Sequence, residues 1–224
     1  MSRIAVLGTG TVGRAIATRL AELGHEVVVG TRDVTATLAR SADGSEQAPP
    51  WSGKSPSVRL ATFAEAAADS ELVVNATQGA VSLEVLTAAG ADNLDGKTLM
   101  DISNPLDFSG GFPPTLLVKD TDSLGERIQA AFPRTRVVKT LNTLTAALMV
   151  DPARLAGGDH SVFVSGDDPD AKREVTEVLE SFGHTAVIDL GDIATARGTE
   201  MWLPLWLRLM GALQTPIFNL RIVR

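Results

Sequence analysis

Short β-branched apolar runs alternate along this chain with stretches of helical period, the pattern of parallel strands joined by crossover helices. Arg3–Leu7 reads as a first strand, apolar and closed by glycine. Arg14–Leu23 reads as a helix, because Val12, Ile16, Leu20 and Leu23 share a face and Gly24 stands at a stop position. Glu26–Gly30 is the second predicted strand and Val34–Arg40 a short helix, followed by a polar, Pro-rich surface excursion over Ser41–Ser57. Further strands are predicted at Val58–Ala61, Glu71–Ala76, Thr98–Ile102 and Arg136–Leu141. Helices are predicted at Phe63–Ala68, Leu83–Ala89 and Ser123–Ala131, and a Gly/Pro loop at Asp107–Pro114. After Pro152 comes a smaller set: strand Ser161–Ser165, helix Asp170–Phe182, strand Ala186–Asp189 and a C-terminal helix from about Glu200. The expectation is an α/β fold, a doubly wound parallel sheet over residues 1–152 with a small C-terminal α/β unit over 153–224.

Gly8-Thr9-Gly10-Thr11-Val12-Gly13 sits between the first strand and the first helix, and a second strand follows within about thirty residues. That context turns a weak glycine pattern into a dinucleotide-binding, Rossmann-type signature. Gly8 permits the tight turn, Gly10 lets the backbone approach a pyrophosphate, and Gly13 allows the helix to pack closely on the strands. Free N–H groups and the dipole at the helix start attract the anion. Such folds commonly place an acid at the end of the second strand for the ribose hydroxyl, but here Glu26-Val27-Val28-Val29 runs into Gly30-Thr31-Arg32. Thr31 offers a hydroxyl and Arg32 a fork of donors suited to phosphate, which favours NADP(H) over NAD(H). Asp33 reads either as a displaced ribose ligand or, more commonly for such a residue, as the cap of the next helix.

In an open parallel sheet, ligands lie across the carboxyl ends of the strands. Three loops there carry small polar sets: Asn75-Ala76-Thr77-Gln78-Gly79, Ser103-Asn104-Pro105-Leu106 and Asn142-Thr143. Amides and small hydroxyls suit a flat ring and its carboxamide, so Asn75, Ala76, Thr77, Asn104, Pro105 and Asn142 join the candidate cofactor site. No catalytic side chain is assigned. His25, His160 and His184 are far apart in sequence and read as ordinary histidines, two of them surface residues preceding strands. Lys139 lies in a strand without a helical Lys-x-x-x-Asn partner. Asp167-Asp168-Pro169-Asp170 reads as a helix start, not a metal loop, and no metal site is expected. Hydride transfer between stacked rings needs proximity and water exclusion more than an acid or base.

Composition narrows the partners. A chain of 224 residues with 44% apolar and 21% charged residues is an ordinary globular protein of one domain or one with an appendage. Absence of cysteine excludes a disulfide scaffold, a thiolate metal site and a Cys nucleophile. A net charge of −7 argues against nucleic acid as the main partner. The start of the chain has too few apolar residues for a signal peptide, and Arg208, Gln214 and two prolines interrupt the apolar stretch Met201–Phe218, so no membrane span and a cytoplasmic location are expected. Within that stretch Trp202, Trp206, Leu209, Met210 and Leu213 form one broad helical face, with Leu203 and Leu207 on another. Such a helix needs a cover, either its own sheet or a second copy, and a homodimer is the favoured reading.

These residues resemble the F420-dependent NADP oxidoreductase family. The resemblance runs through Gly8–Gly13, Val29-Gly30-Thr31-Arg32, Asp101-Ile102-Ser103-Asn104-Pro105-Leu106, Val138-Lys139-Thr140-Leu141-Asn142-Thr143, the segment Val162–Asp168 and the ending Thr215–Arg221. It implies a usually dimeric protein that passes hydride between NADPH and C5 of a deazaflavin, coenzyme F420. It also implies pyrophosphate contacts from Thr9, Thr11 and Val12 and 2′-phosphate contacts from Thr31 and Arg32. The sequence departs from the family pattern in having Val34-Thr35-Ala36-Thr37 where a further basic residue often stands, and in the Ser41–Ser57 insertion.

Overall fold

The computed structural model describes residues 1–42 and 58–223. In chain order the elements are β1 (Arg3–Leu7), α1 (Thr11–Glu22), β2 (Glu26–Thr31), α2 (Val34–Ala42), β3 (Val58–Thr62), α3 (Phe63–Ala68), β4 (Leu72–Asn75), α4 (Ser82–Ala89), α5 (Ala91–Leu94) and β5 (Thr98–Asp101). They continue with β6 (Leu106–Asp107), β7 (Thr115–Leu116), α6 (Leu124–Ala131), β8 (Arg136–Thr140), α7 (Ala146–Val150), β9 (Ser161–Ser165), α8 (Pro169–Phe182), β10 (Ala186–Asp189), α9 (Ala196–Met201) and α10 (Leu203–Leu213).

Eight strands form one sheet in the order β10-β9-β8-β5-β4-β1-β2-β3. The six from β3 to β8 are parallel, and the order reverses between β1 and β4, the switch point at which such sheets bind ligands. β9 pairs with β8 antiparallel, so the strands of the predicted C-terminal unit continue the same sheet in the opposite direction. The parallel sheet expected over residues 1–152 is present, and the strands of the C-terminal unit join its edge antiparallel to it. A parallel return needs a crossover that carries the chain back to the amino end of the strands. Here the segment after β8 is spent on α7, which packs on α1, and the chain re-enters from the carboxyl side.

Alternation along the central strands feeds two cores. Ile4, Val6, Val27, Val29, Val74 and Val138 face α1 and α8 through Ile16, Leu20, Val175 and Leu179. Ala5, Leu7, Val28, Val73, Leu99 and Val137 face α3, α4 and α6 through Ala66, Leu86 and Ile128. Each fully buried Leu or Ile contributes about 1.5–3 kcal/mol, so the double-sided core holds the strand ends in place. Local signals set the helix starts. Thr62 and Glu65 form a capping box on α3. Asp168 caps α8 with Pro169 in its first turn, as the sequence predicts, and Gly183 ends it in the left-handed region. The C-terminal helix is broken in two at Trp202–Leu203, just before Pro204, whose missing N–H suits a first turn.

Among the described residues no helix is long and apolar enough to cross a membrane. The Ser41–Ser57 excursion lies outside the described residues except where its first two residues close α2. Packing of α10 on its own sheet is not what the structure shows: only Leu203 of this helix is buried, while Leu205 and Leu213 are 49% and 53% exposed.

Candidate functional site

Two glycines of the first loop are demanded by contact. Gly8 has φ +120, and a Cβ there would lie 2.7 Å from the Ala76 carbonyl oxygen. A Cβ on Gly13 would lie 2.1 Å from the Gly8 carbonyl oxygen, so this residue is what lets α1 close onto the loop. Gly10 is different: it faces open space and is the N-cap of α1, with no side-chain cap and no acidic residue in the first turn. The helix start is thus an unneutralised set of N–H donors beside an open cradle, which fits a diphosphate. Thr9 and Val12 are partly exposed and Thr11 is exposed, and Arg14 steadies the loop by donating Nε–H to the Thr9 carbonyl at 3.1 Å.

At the end of β2 the structure amends two readings. Position 30 could not hold an acid, because a Cβ there would meet Leu7 Cδ2 at 2.7 Å and Phe63 at 3.1 Å. The Thr31 hydroxyl is turned inward onto Thr37 Oγ1 at 2.8 Å and the residue is buried, so it is not poised as a surface phosphate donor. Asp33 caps α2 by accepting from the Ala36 N–H at 2.9 Å. Arg32 is left projecting from the strand end, with its side chain 74% exposed and 3.4 Å from Glu84 of α4. Between them lies a cleft of about 330 Å³, lined by Thr31, Arg32, Thr62, Phe63, Glu84 and Val85.

The ends of β4, β5 and β8 are joined by side chains. Asn104 donates to the Asn142 carbonyl at 3.0 Å, and Asn142 donates back to Asn104 Oδ1 at 3.1 Å and to the Thr199 carbonyl at 3.0 Å. Ala76 and Thr77 sit partly exposed beside them, while Pro105 and Asn142 are buried, so these two shape the loops from within. Asn75 is corrected as a ligand-facing residue. It is fully buried, and its amide donates to Asp101 Oδ1 at 2.8 Å and to Ser82 Oγ at 3.1 Å, while its carbonyl oxygen holds Thr77 Oγ1 at 2.7 Å. It supports the loop from beneath. Leu141, where β8 turns into Asn142, is a buried non-glycine residue with φ 57, a conformation that costs about 1–2 kcal/mol.

Below this layer lies a feature the sequence reading missed. Lys139 is completely buried and donates to Asp101 Oδ2 at 2.8 Å, Glu200 Oε1 at 2.9 Å and the Ser103 carbonyl at 2.6 Å. Burial disfavours the Lys139 charge, but the attraction of Asp101 and Glu200 outweighs it and holds the pKa above the usual lysine value. Glu200 also accepts the N–H groups of Leu124 and Gly125 at the start of α6. The available signal was a lysine directly after two valines in a predicted strand. His160 and His184 are likewise not surface residues. Both are buried with ring centroids 6.3 Å apart, each holding a backbone carbonyl. They lie away from the loop cluster and make none of its contacts.

Two further cavities bear on the site. One of about 190 Å³ adjoins the Asn142 loop, with Thr143, Phe163, Leu190, Thr199 and Trp202 in its wall. The Trp202 indole N–H is buried and has no hydrogen-bond partner among the described residues. A larger cleft of about 580 Å³ lies by Arg136, at the amino end of β8, and contains none of the predicted site residues.

A glycine-built anion cradle at the switch point of a doubly wound sheet, with an arginine at the second strand end, defines a Rossmann-type dinucleotide-binding oxidoreductase. Comparison with known proteins agrees. Residues 3–105 match the family model for coenzyme F420-dependent NADP oxidoreductases. The chain is 63% identical to a solved protein from Arthrobacter sp. FB24, a candidate F420-dependent NADP reductase, with full coverage of both chains and a TM-score of 0.94. It is 29% identical over 212 residues to the F420-dependent NADP reductase of Methanothermobacter marburgensis, covering 92% of each. It is also 32% identical over 209 residues to the rat metalloreductase STEAP3, a match that spans 91% of this chain but only 38% of that protein. The chain belongs to the F420-dependent NADP oxidoreductase family, whose members are NADP oxidoreductases.

Proposed function

We propose that this protein transfers a hydride between NADP(H) and the deazaflavin coenzyme F420. The pyrophosphate is held at the start of α1 by the N–H groups of Thr11 and Val12 and by Thr9, over Gly8, Gly10 and Gly13. Arg32 takes the 2′-phosphate in the cleft it shares with Glu84. The nicotinamide half lies against Ala76, Thr77 and Asn104, with the buried Asn75, Pro105 and Asn142 supporting from below. NADPH supplies the hydride, and the protein binds, orients and excludes water.

One observation carries this reading over reduction of a carbonyl. The ionisable side chains beneath the β4, β5 and β8 ends are Asp101, Lys139 and Glu200, and all three are sealed at 0–1% exposure in bonds to one another. None is placed to give a proton to a substrate, whereas hydride delivered to a deazaflavin carbon leaves a charge that the conjugated ring spreads, so the one proton the reduced ring takes up can come from solvent. The cavity beside Thr143 and Trp202 is the place proposed for part of the acceptor. The kinship with a metalloreductase favours a second reading, in which the same nucleotide site serves an acceptor other than F420.

The test is to mix purified protein with NADPH and, separately, F420, FMN or FAD, and to follow NADPH absorbance. Oxidation with F420 alone supports the proposal. Oxidation with FMN or FAD but not F420 replaces it with flavin reduction. Binding of NADPH with no oxidation by any of them points to a nucleotide sensor. The exposed apolar residues of α10 support a homodimer through that helix, and Leu205→Glu together with Leu213→Glu is expected to yield a monomer by sedimentation or light scattering.

A further inference from the structure

Every polar contact of the buried cluster under the candidate nicotinamide loops specifies its charge. Lys139 Nζ gives all three of its protons, to Asp101, Glu200 and the Ser103 carbonyl. Asp101 only accepts: Oδ2 from Lys139, and Oδ1 from the Asn75 amide, the Ser103 N–H at 3.2 Å and the Ser103 hydroxyl at 2.7 Å. Glu200 only accepts as well, with Oε1 taking Lys139 and the Gly125 N–H at 3.1 Å, and Oε2 taking the Leu124 N–H at 2.8 Å. Two acceptor-only carboxylates and one ammonium leave a net charge of −1. The three groups are 0–1% exposed, so water screens that charge weakly. It also lies directly under functional loops: Asp101 holds Asn75 and Ser103, and Glu200 follows Thr199, whose carbonyl anchors Asn142.

Building on the nucleotide placement proposed above, we infer that the Asp101–Lys139–Glu200 cluster is an electrostatic element that favours NADP⁺ over NADPH in the bound state. The nicotinamide ring carries a positive charge only when oxidised. A buried negative charge beneath it therefore stabilises that form and leaves the neutral dihydronicotinamide nearly indifferent. The pyrophosphate and 2′-phosphate are common to both forms and cancel in the comparison. Bound NADPH is thereby made a stronger hydride donor than NADPH in water. The residues are positioning and field-setting groups that touch neither reactant.

The test is the ratio of dissociation constants, Kd(NADP⁺)/Kd(NADPH), from calorimetric or fluorescence titration at neutral pH. Glu200→Gln removes the net charge and should raise the ratio by roughly three- to tenfold, the scale of one buried unit charge acting through an effective dielectric of about 20–40. Asp101→Asn, on the other side of Lys139, supplies the same neutralisation should the first variant not fold. A role in loop shape alone would weaken both nucleotides together and leave the ratio fixed, and that result overturns the inference. Wild-type protein gives an independent reading, since it should bind NADP⁺ more tightly than NADPH; the opposite order also overturns it. Failure of wild-type protein to bind either nucleotide would count against the nucleotide site itself, which separates the two claims.

Discussion

At the phosphate end of the cleft the binding surface is backbone, made by a glycine loop and a helix start that an N-cap side chain does not cover. At the β4–β5–β8 end it is side chain, an asparagine clasp resting on buried charges. The first is locally encoded and open; the second is assembled from distant segments and sealed. The contrast has a thermodynamic meaning. Backbone donors need only the right φ and ψ values, so stability and binding can be altered there separately. A buried ion cluster holds its geometry only when every partner is present, so a change there affects fold and site together.

Lys139→Ala is the sharpest way to break that second half. It leaves the Asp101 and Glu200 carboxylates buried without their cation, and denaturant unfolding should show a loss of about 3–5 kcal/mol. A loss below about 1 kcal/mol would mean that water or another cation replaces the ammonium. At the phosphate end, two alanines separate packing from binding. Gly13→Ala drives a methyl group into the Gly8 carbonyl and should destabilise the protein by about 1–3 kcal/mol. Gly10→Ala meets nothing within 4 Å, so its melting temperature should hold while NADPH binding falls at least about tenfold through obstruction of the diphosphate. If both variants lose stability alike, the loop is a packing motif and not an anion cradle.

The same contrast explains what could be read in advance. Gly8–Gly13, Arg32 and the Asp33 cap all lie within one strand-helix-strand unit, where spacing and turn chemistry are legible. The cluster draws on residues with partners 26 and 38 positions away, and on Glu200, which reaches α6 across 76. No local pattern encodes such pairings. Thr31 was misread for a smaller reason: β2 runs one residue further than predicted, so strand alternation turns that side chain inward. The two histidines before the last strands looked superficial, but α7 and the tail cover them: His184 bonds the Met149 carbonyl, and His160 accepts from Asn219 at 2.8 Å. The antiparallel pairing of β8 and β9 was also hidden, because connection direction is set by tertiary packing.

Arg32→Ala tests whether the exposed guanidinium selects the cofactor. NADPH binding should weaken by about 1.5–3 kcal/mol and NADH binding hardly at all, measured by titration of each. Equal losses would remove the 2′-phosphate assignment. Glu84→Gln should act in the opposite direction, tightening NADPH by less than about 1 kcal/mol, because the carboxylate that faces Arg32 is exposed and its attraction is screened.

The smallest expected effect is on pH dependence, and it lies outside both halves of the cleft. His184 donates Nε2–H to the Met149 carbonyl at 2.9 Å, while its Nδ1 is buried and unpaired among the described residues. Burial is the largest influence on its pKa and lowers it; the Met149 carbonyl opposes that, and His160 adds to the lowering. The unfolded chain therefore takes up a proton here at a higher pH than the folded one. Stability from this group is complete above the unfolded value of about 6.5 and is lost as pH falls toward the folded value, with a slope of at most about 1.4 kcal/mol per pH unit. Melting curves from pH 8 to pH 5 should decline below about pH 6.5. His184→Gln, which keeps a donor for Met149 but cannot titrate, should flatten that part of the decline; an unchanged slope would assign the acid sensitivity to other groups.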